Sequence, residues 1–252
     1  MRYGRLLAIF LLIAGAAPAL LSQNASRKVD PDEIIRKFSQ KETEFYEAWR
    51  QYTYTQTASI RVRSVDGMPR RERLTIVSEI VFNDDGTREV RTLRSSGRLD
   101  SVQFTEEDKE VINNINPFAL TENDLPLYNL KYEGKEMVDE LDCYVFSVKP
   151  KNTRGGRMYF EGKIWVDDID LQVVRTKGKP VPQTRDSKFP EFETIRQMID
   201  DKYWFPVWTH ADSVLEFSSG DIRVEETITY ENYKKFGAEA TIKYDTTSSP
   251  KE

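Results

Sequence analysis

"YFEGKIWVDDIDLQVVRTKGK", residues Tyr159 to Lys179, reads as two strands folded back at an acidic corner. Asp167, Asp168 and Asp170 at that corner could hold calcium through carboxylate oxygens. A calcium loop of the EF-hand kind needs alternate ligands, a central Gly and a distal bidentate Glu, and that spacing is missing. Aspartate is also the residue that turns use, because its side chain caps nearby backbone groups. The corner reads as a hairpin turn, and Asp200-Asp201 in "MIDDKYW" reads as the same device one hairpin later. No metal site is expected there.

Working outward, the same two-residue period covers most of the chain. Tyr52, Tyr54, Ala58, Ile60 and Val62 alternate with Thr and Arg positions. "RLTIVSEIVF" puts Leu74, Ile76, Ile80 and Phe82 on one face, and "NDDG" at Asn83 to Gly86 marks a turn before the returning strand "TREVRTLR". Further on, "YNLKYEGKEMV" pairs with "DCYVFSVKP", and "FPEFETIRQMID" with "YWFPVWTHADSVLEF". "DIRVEETITYENYKKF" closes a near-continuous meander of roughly ten strands. Ile222, Val224, Ile228 and Tyr230 share one face of that last strand, and Glu226 has the same parity. A bulge that turns Glu226 outward is the favoured reading; a carboxylate facing the interior with a partner is the other.

Two stretches follow a helical period instead. In "DPDEIIRKFSQKETEFYEAWRQY", Asp30 is a suitable N-cap and Pro31 suits the first turn. Ile34, Ile35, Phe38, Phe45, Tyr46 and Trp49 form its apolar side, with Lys, Glu, Arg and Gln opposite. The second stretch interrupts the strands at "FTEEDKEVINNINPFALTENDLPL". Thr105 and Asp108 form a capping box, and Asn116-Pro117 stops the helix. Ile112, Ile115, Phe118 and Leu120 give this insertion an apolar side, so it is expected to act as a lid.

The expected fold class is therefore mainly β (α+β). A curled antiparallel sheet forms an incomplete, half-open barrel, covered by an N-terminal helix and a short inserted helix. Such a sheet encloses an apolar cavity. Its expected lining is Tyr54, Ile60, Leu74, Ile76, Ile80, Phe82, Phe146, Phe160, Ile164, Val207 and Ile228.

The ends and the charge fix further expectations. "MRYGR" followed by the uncharged run Leu6 to Leu21 reads as a signal peptide over residues 1–22. Residues 23–240 then form a single domain, and the polar tail 241–252 should fray. No Cys follows the apolar run, so a lipid anchor of the bacterial kind is not expected. Without Arg2 and Arg5 the chain carries 35 basic against 42 acidic residues, a net charge of −7. Nine arginines between Arg61 and Arg98 are interleaved with acids and read as solvated strand faces, so no nucleic-acid partner is expected.

The chain has one cysteine, Cys143, and one histidine, His210. That excludes an internal disulfide, a tetrahedral Cys/His zinc site and multi-histidine catalysis, and it allows a Cys–His dyad only if the two meet. Cys143 reads as a small buried hydrophobe. Trp204, Phe205, Trp208, Tyr230 and Tyr233 read as core aromatics rather than a sugar-stacking surface. A hydrolase working through Glu226 is the minor reading.

With its strands laid out, the chain resembles the LolA/LolB-like superfamily, and within it the outer membrane lipoprotein-sorting group of exported bacterial proteins. The residues that carry the resemblance are "GKIWVDDIDLQVVRTKG", "DDKYWFPVWTHADSVLEF" and "ITYENYKKF". The resemblance implies a periplasmic carrier of lipid or lipoprotein acyl chains, with only transient membrane contact, no enzyme activity and no cofactor. It equally allows an envelope sensor or scaffold that binds a protein partner, since relatives of the carriers regulate envelope stress. The central insertion is longer than in the minimal carrier.

Overall fold

The computed structural model describes residues 29–66, 69–83, 87–185 and 187–236, and the expected signal peptide and polar tail lie outside them. An α-helix, α1 (Pro31–Trp49), precedes three strands, β1 (Tyr52–Arg63), β2 (Pro69–Phe82) and β3 (Arg88–Arg98). The insertion follows, with a short helix α2 (Glu106–Glu110). Seven strands complete the fold: β4 (Tyr128–Val138), β5 (Leu141–Pro150), β6 (Tyr159–Asp167), β7 (Val173–Val181), β8 (Phe192–Ile199), β9 (Tyr203–Phe217) and β10 (Gly220–Lys235).

All ten strands belong to one antiparallel sheet in the order β3-β2-β1-β10-β9-β8-β7-β6-β5-β4. The expected meander is thus broken once. The last strand returns to pair with β1, with Ala58 opposite Ile228 and Ile60 opposite Glu226. Consecutive strands β3 and β4 become the two opposite edges, unpaired with each other, so the sheet is an open half-barrel and not a closed one. This has a consequence for the insertion. Residues 99–127 must travel from one edge to the other, and the short way runs across the open concave side.

The concave face is filled first by α1. Ile34, Phe38, Glu42, Phe45, Ala48 and Trp49 are buried, whereas Tyr46 is exposed and Ile35 only half-buried. Phe38 meets Phe146 at 5.6 Å, Trp49 stacks on Tyr54 at 5.7 Å, and Phe45 packs edge-on to Phe205. These rings supply most of the apolar burial that pins helix to sheet.

The acidic corner that opened the sequence is a turn. The Asp167 carboxylate accepts from the backbone N–H groups of Ile169 (3.2 Å) and Asp170 (2.6 Å), and Asp168 pairs with Lys135. Among the described residues no group of three or more His, Cys, Asp or Glu side chains could hold a metal ion. At the next corner Asp200 and Asp201 adopt positive φ, and the Tyr52 hydroxyl donates to Asp200 at 2.7 Å.

Candidate functional site

The insertion builds the site. Thr105 and Asp108 close the expected capping box, each side chain bonding the other's backbone N–H. After Glu110 the helix widens over Val111–Ile115, where the Asn116 N–H reaches back five residues to the Val111 carbonyl at 2.9 Å. The wider turn directs Val111, Ile112 and Ile115 together into the concave face, where all three are buried with Phe118 and Leu120.

The insertion's two halves are held differently. From Asn113 onward it is laced to the sheet by polar bonds. Gln56 donates to the Asn113 side chain, Arg88 to the Asn113 carbonyl, and Thr194 to the Asn116 carbonyl at 2.8 Å. Arg196 donates to the Phe118 carbonyl, and the Leu120 N–H donates to Glu42. Before Asn113, Glu72 of β2 ties down the start of the insertion, accepting from the backbone N–H groups of Asp100 and Ser101 and from the Ser101 hydroxyl. Over residues 105–112, the first half of the helix, the side-chain bond to the rest of the fold among the described residues is Ser187 donating to Glu107 at 2.8 Å.

A cavity of about 320 Å³ lies beneath that loosely held first half. Its walls combine apolar side chains, among them Ile60, Phe104, Ile112, Phe189, Leu215 and Phe217, with polar ones such as Ser101, Gln103 and Ser219. Glu226 also lines it, and the register of β10 against β1 and β9 runs unbroken past Glu226. The bulge expected to turn this residue outward does not form; the alternating pattern of β10 keeps it inside, only 6 % exposed. Burial, helped by nearby Asp108, pushes its carboxyl up to about 7. Asp108 is itself raised, mainly by burial, although Thr105 occupies its carboxylate. Lys188 is the basic residue in the lining.

A second, apolar cavity of about 350 Å³ lies on the other flank, against β1, β2 and β3. Phe104 and Ile112 border both cavities. A third, polar groove of about 830 Å³ runs between α1 and the second half of the insertion, past Phe82, Ile115 and Phe118.

The expected lining residues fall into three groups. Ile60 lines the first cavity, Leu74 and Ile76 the second, and Phe82 the groove. Tyr54, Ile80, Phe146, Phe160, Ile164 and Ile228 are buried beneath the protein's own side chains; Phe118, for instance, stacks on Phe160 at 4.4 Å. Val207 is half-buried and unpaired at a β-bulge, where Ile195 faces Trp208 and Arg196 faces Pro206. The extra residue shifts it out of the expected alternation.

The remaining candidates settle into structural places. Burial raises the Cys143 thiol to about 11, which keeps it a thiol. Cys143 packs with Val145, Trp165 and Val174, while His210 stacks on Trp208 and contacts Thr227, so the two form no dyad. Of the five expected core aromatics, Phe205 and Tyr230 are buried, Trp204 and Tyr233 are half-buried, and Trp208 is exposed. Sequence reasoning missed the ion pair between Glu42 and Arg196, and it missed the loop residues Ser187 to Pro190 because they carry no periodic signal.

Comparison with solved structures finds similar folds at low sequence identity. The chain is similar to LolA-like half-barrels. A DUF1329 family protein from Desulfovibrio piger aligns at TM-score 0.47 and 14 % identity, over 83 % of this chain and 95 % of that one. A putative outer membrane lipoprotein-sorting protein domain from Vibrio parahaemolyticus aligns at 0.39 and 12 %, over 80 % and 92 %. A LolA superfamily protein from Nitrosomonas europaea aligns at 0.36 and 14 %, over 82 % and 94 %. No protein-family model matches the chain, and no curated protein matches it significantly. Among the described residues no helix is long and apolar enough to cross a membrane.

Proposed function

We propose that the protein is an exported, periplasmic binding and carrier protein for an acyl-chain ligand, working without catalysis in the sorting of envelope lipids or lipoproteins. The observation that carries this reading is the cavity under the first half of the insertion, which shares Phe104 and Ile112 in its wall with a second, apolar cavity. At about 320 Å³ the first cavity sits at the small end of ligand pockets and suits one short chain. Movement of residues 105–112 would join the two cavities and make room for a longer one. The insertion is therefore read as a lid hinged at its bonded second half.

The test is direct. Protein purified from its native envelope is extracted and analysed for lipid by mass spectrometry, and the pure protein is titrated with an apolar fluorescent probe. Co-purifying lipid and saturable probe binding support the carrier. A defined envelope-protein partner with no lipid and no probe binding would move the reading to a sensor or scaffold.

A further inference from the structure

Glu226 stands out among the cavity's walls. It is nine-tenths buried, it lines the space, and no hydrogen bond or ion pair to it is found among the described residues. Burying a carboxyl without a partner is costly, and proteins rarely keep such a group inside an apolar wall. The surroundings do not relieve it. Ile60 is opposite on β1 and Ala211 opposite on β9, and neither has a polar side chain. From α2 the nearest charge is Asp108, which repels it. Glu107 also borders the cavity but is engaged by Ser187, and Tyr230 lies four residues along the same strand. Among the described lining residues the one opposing charge is Lys188, from the loop before β8. Three acids against one base among the described lining residues give the cavity a negative character.

We propose that Glu226 is the recognition point for the ligand's polar head, and that the cavity takes an apolar body carrying a basic nitrogen, such as a long-chain amine. The inference rests on the carrier reading and specifies its ligand. An ammonium group would supply the missing donor and the missing charge together, and a charge-assisted bond at a buried group is stronger than a neutral one. Asp108 would add attraction of the same sign. A fatty acid, by contrast, would place a third carboxylate beside Glu226 and the half-buried Asp108.

The experiment displaces a neutral apolar fluorescent probe with decylamine, decanol and decanoate, at pH 8 and pH 5.5, from wild type and from Glu226→Gln. Burial holds the Glu226 carboxyl near neutrality, so it is ionised at pH 8 and protonated at pH 5.5. We expect decylamine to bind about tenfold or more better than decanol at pH 8, the range of a hydrogen bond to a charged group. The preference should shrink at pH 5.5 and fall to within about threefold in Glu226→Gln. Lys188→Gln should widen it, because the opposing charge is gone. Equal binding of amine and alcohol to wild type, or a preference that survives in Glu226→Gln, overturns the inference and leaves the carrier reading standing. If none of the three displaces the probe, the carrier reading falls and the inference with it. Should Glu226→Gln fail to fold, the two pH arms on wild type decide the matter alone.

Discussion

Glu42 of α1 and Arg196 of β8 meet as a two-pronged ion pair at the centre of the concave face, with Oε1 2.7 Å from Nη1 and Oε2 3.1 Å from Nη2. Both side chains are almost wholly buried, at 2 % and 1 % exposed. Arg196 also lies over the Phe45 ring and donates to the Phe118 carbonyl, while Glu42 accepts from Leu120. One pair thus ties the helix, the sheet and the insertion together.

Removing one member leaves the other charged and unpaired in a dry site, which costs more than the pair itself contributes. Glu42→Ala is expected to destabilise the fold by roughly 3–5 kcal/mol. Glu42→Leu combined with Arg196→Met should recover much of that loss. Urea denaturation of the three proteins measures it. A single variant as stable as wild type would show that the pair anchors nothing.

Glu226 should make stability fall as pH rises. Its folded carboxyl is pushed up to about 7 by burial and by Asp108, above the ordinary value of 4.5. Between those values the folded state holds a proton that the unfolded state has lost, so unfolding becomes easier with rising pH until about pH 7. The penalty is on the order of 3 kcal/mol at about 1.4 kcal/mol per unit. Glu226→Gln should be near wild type at pH 4.5 and clearly more stable at pH 8. Asp108 adds a smaller slope of the same sign, which the variant keeps. Parallel stability curves for the two proteins would contradict the assignment.

Gly162 of β6 and Gly178 of β7 face each other in register, and the Phe160 ring lies against both. A Cβ on Gly178 would stand 2.4 Å from the Glu161 carbonyl oxygen and 2.7 Å from the Phe160 ring. Gly178→Ala should therefore displace Phe160 and, through it, its stacking partner Phe118. Overpacking of this kind costs roughly 1–3 kcal/mol. In the Phe160→Leu background the same change should cost less, because the ring that it strikes is gone. Equal costs in both backgrounds, by thermal unfolding, would place the strain in the backbone alone.

The sheet was legible because alternation survives over long strands: the parity that grouped Ile222, Val224, Ile228 and Tyr230 holds along the whole of β10. Glu226 obeyed it too, and the expected bulge came from reluctance to bury an acid. Glu42 lies four residues beyond Phe38 and three before Phe45, on the apolar stripe of α1. Arg196 shares the parity of Phe192 and Thr194. Each looked like a blemish on one element, and only the fold shows that the two cancel. The return of β10 to β1 was not readable, because antiparallel pairing over that separation leaves no local mark. The cavity wall from Ser187 to Pro190 was invisible for a similar reason, since loop residues carry no period.

The insertion's unequal attachment predicts unequal motion. Residues 116–121 are fastened by Thr194, Arg196 and Glu42, all reaching buried groups. Residues 105–112 rest on the burial of Val111 and Ile112 and on the Ser187–Glu107 bond at the surface. Each of those two side chains contributes about 1.5–3 kcal/mol by burial. Ordering eight residues of backbone costs at least as much, so the first half should open locally while the second stays closed. Hydrogen exchange read by mass spectrometry should show residues 105–112 exchanging well before residues 116–121. Ile112→Ser with Ser187→Ala should speed the first segment further and strengthen binding of an apolar probe, with β1 and β10 still protected. Loss of protection throughout the sheet would make the insertion ordinary core, and a uniform rate along it would remove the hinge.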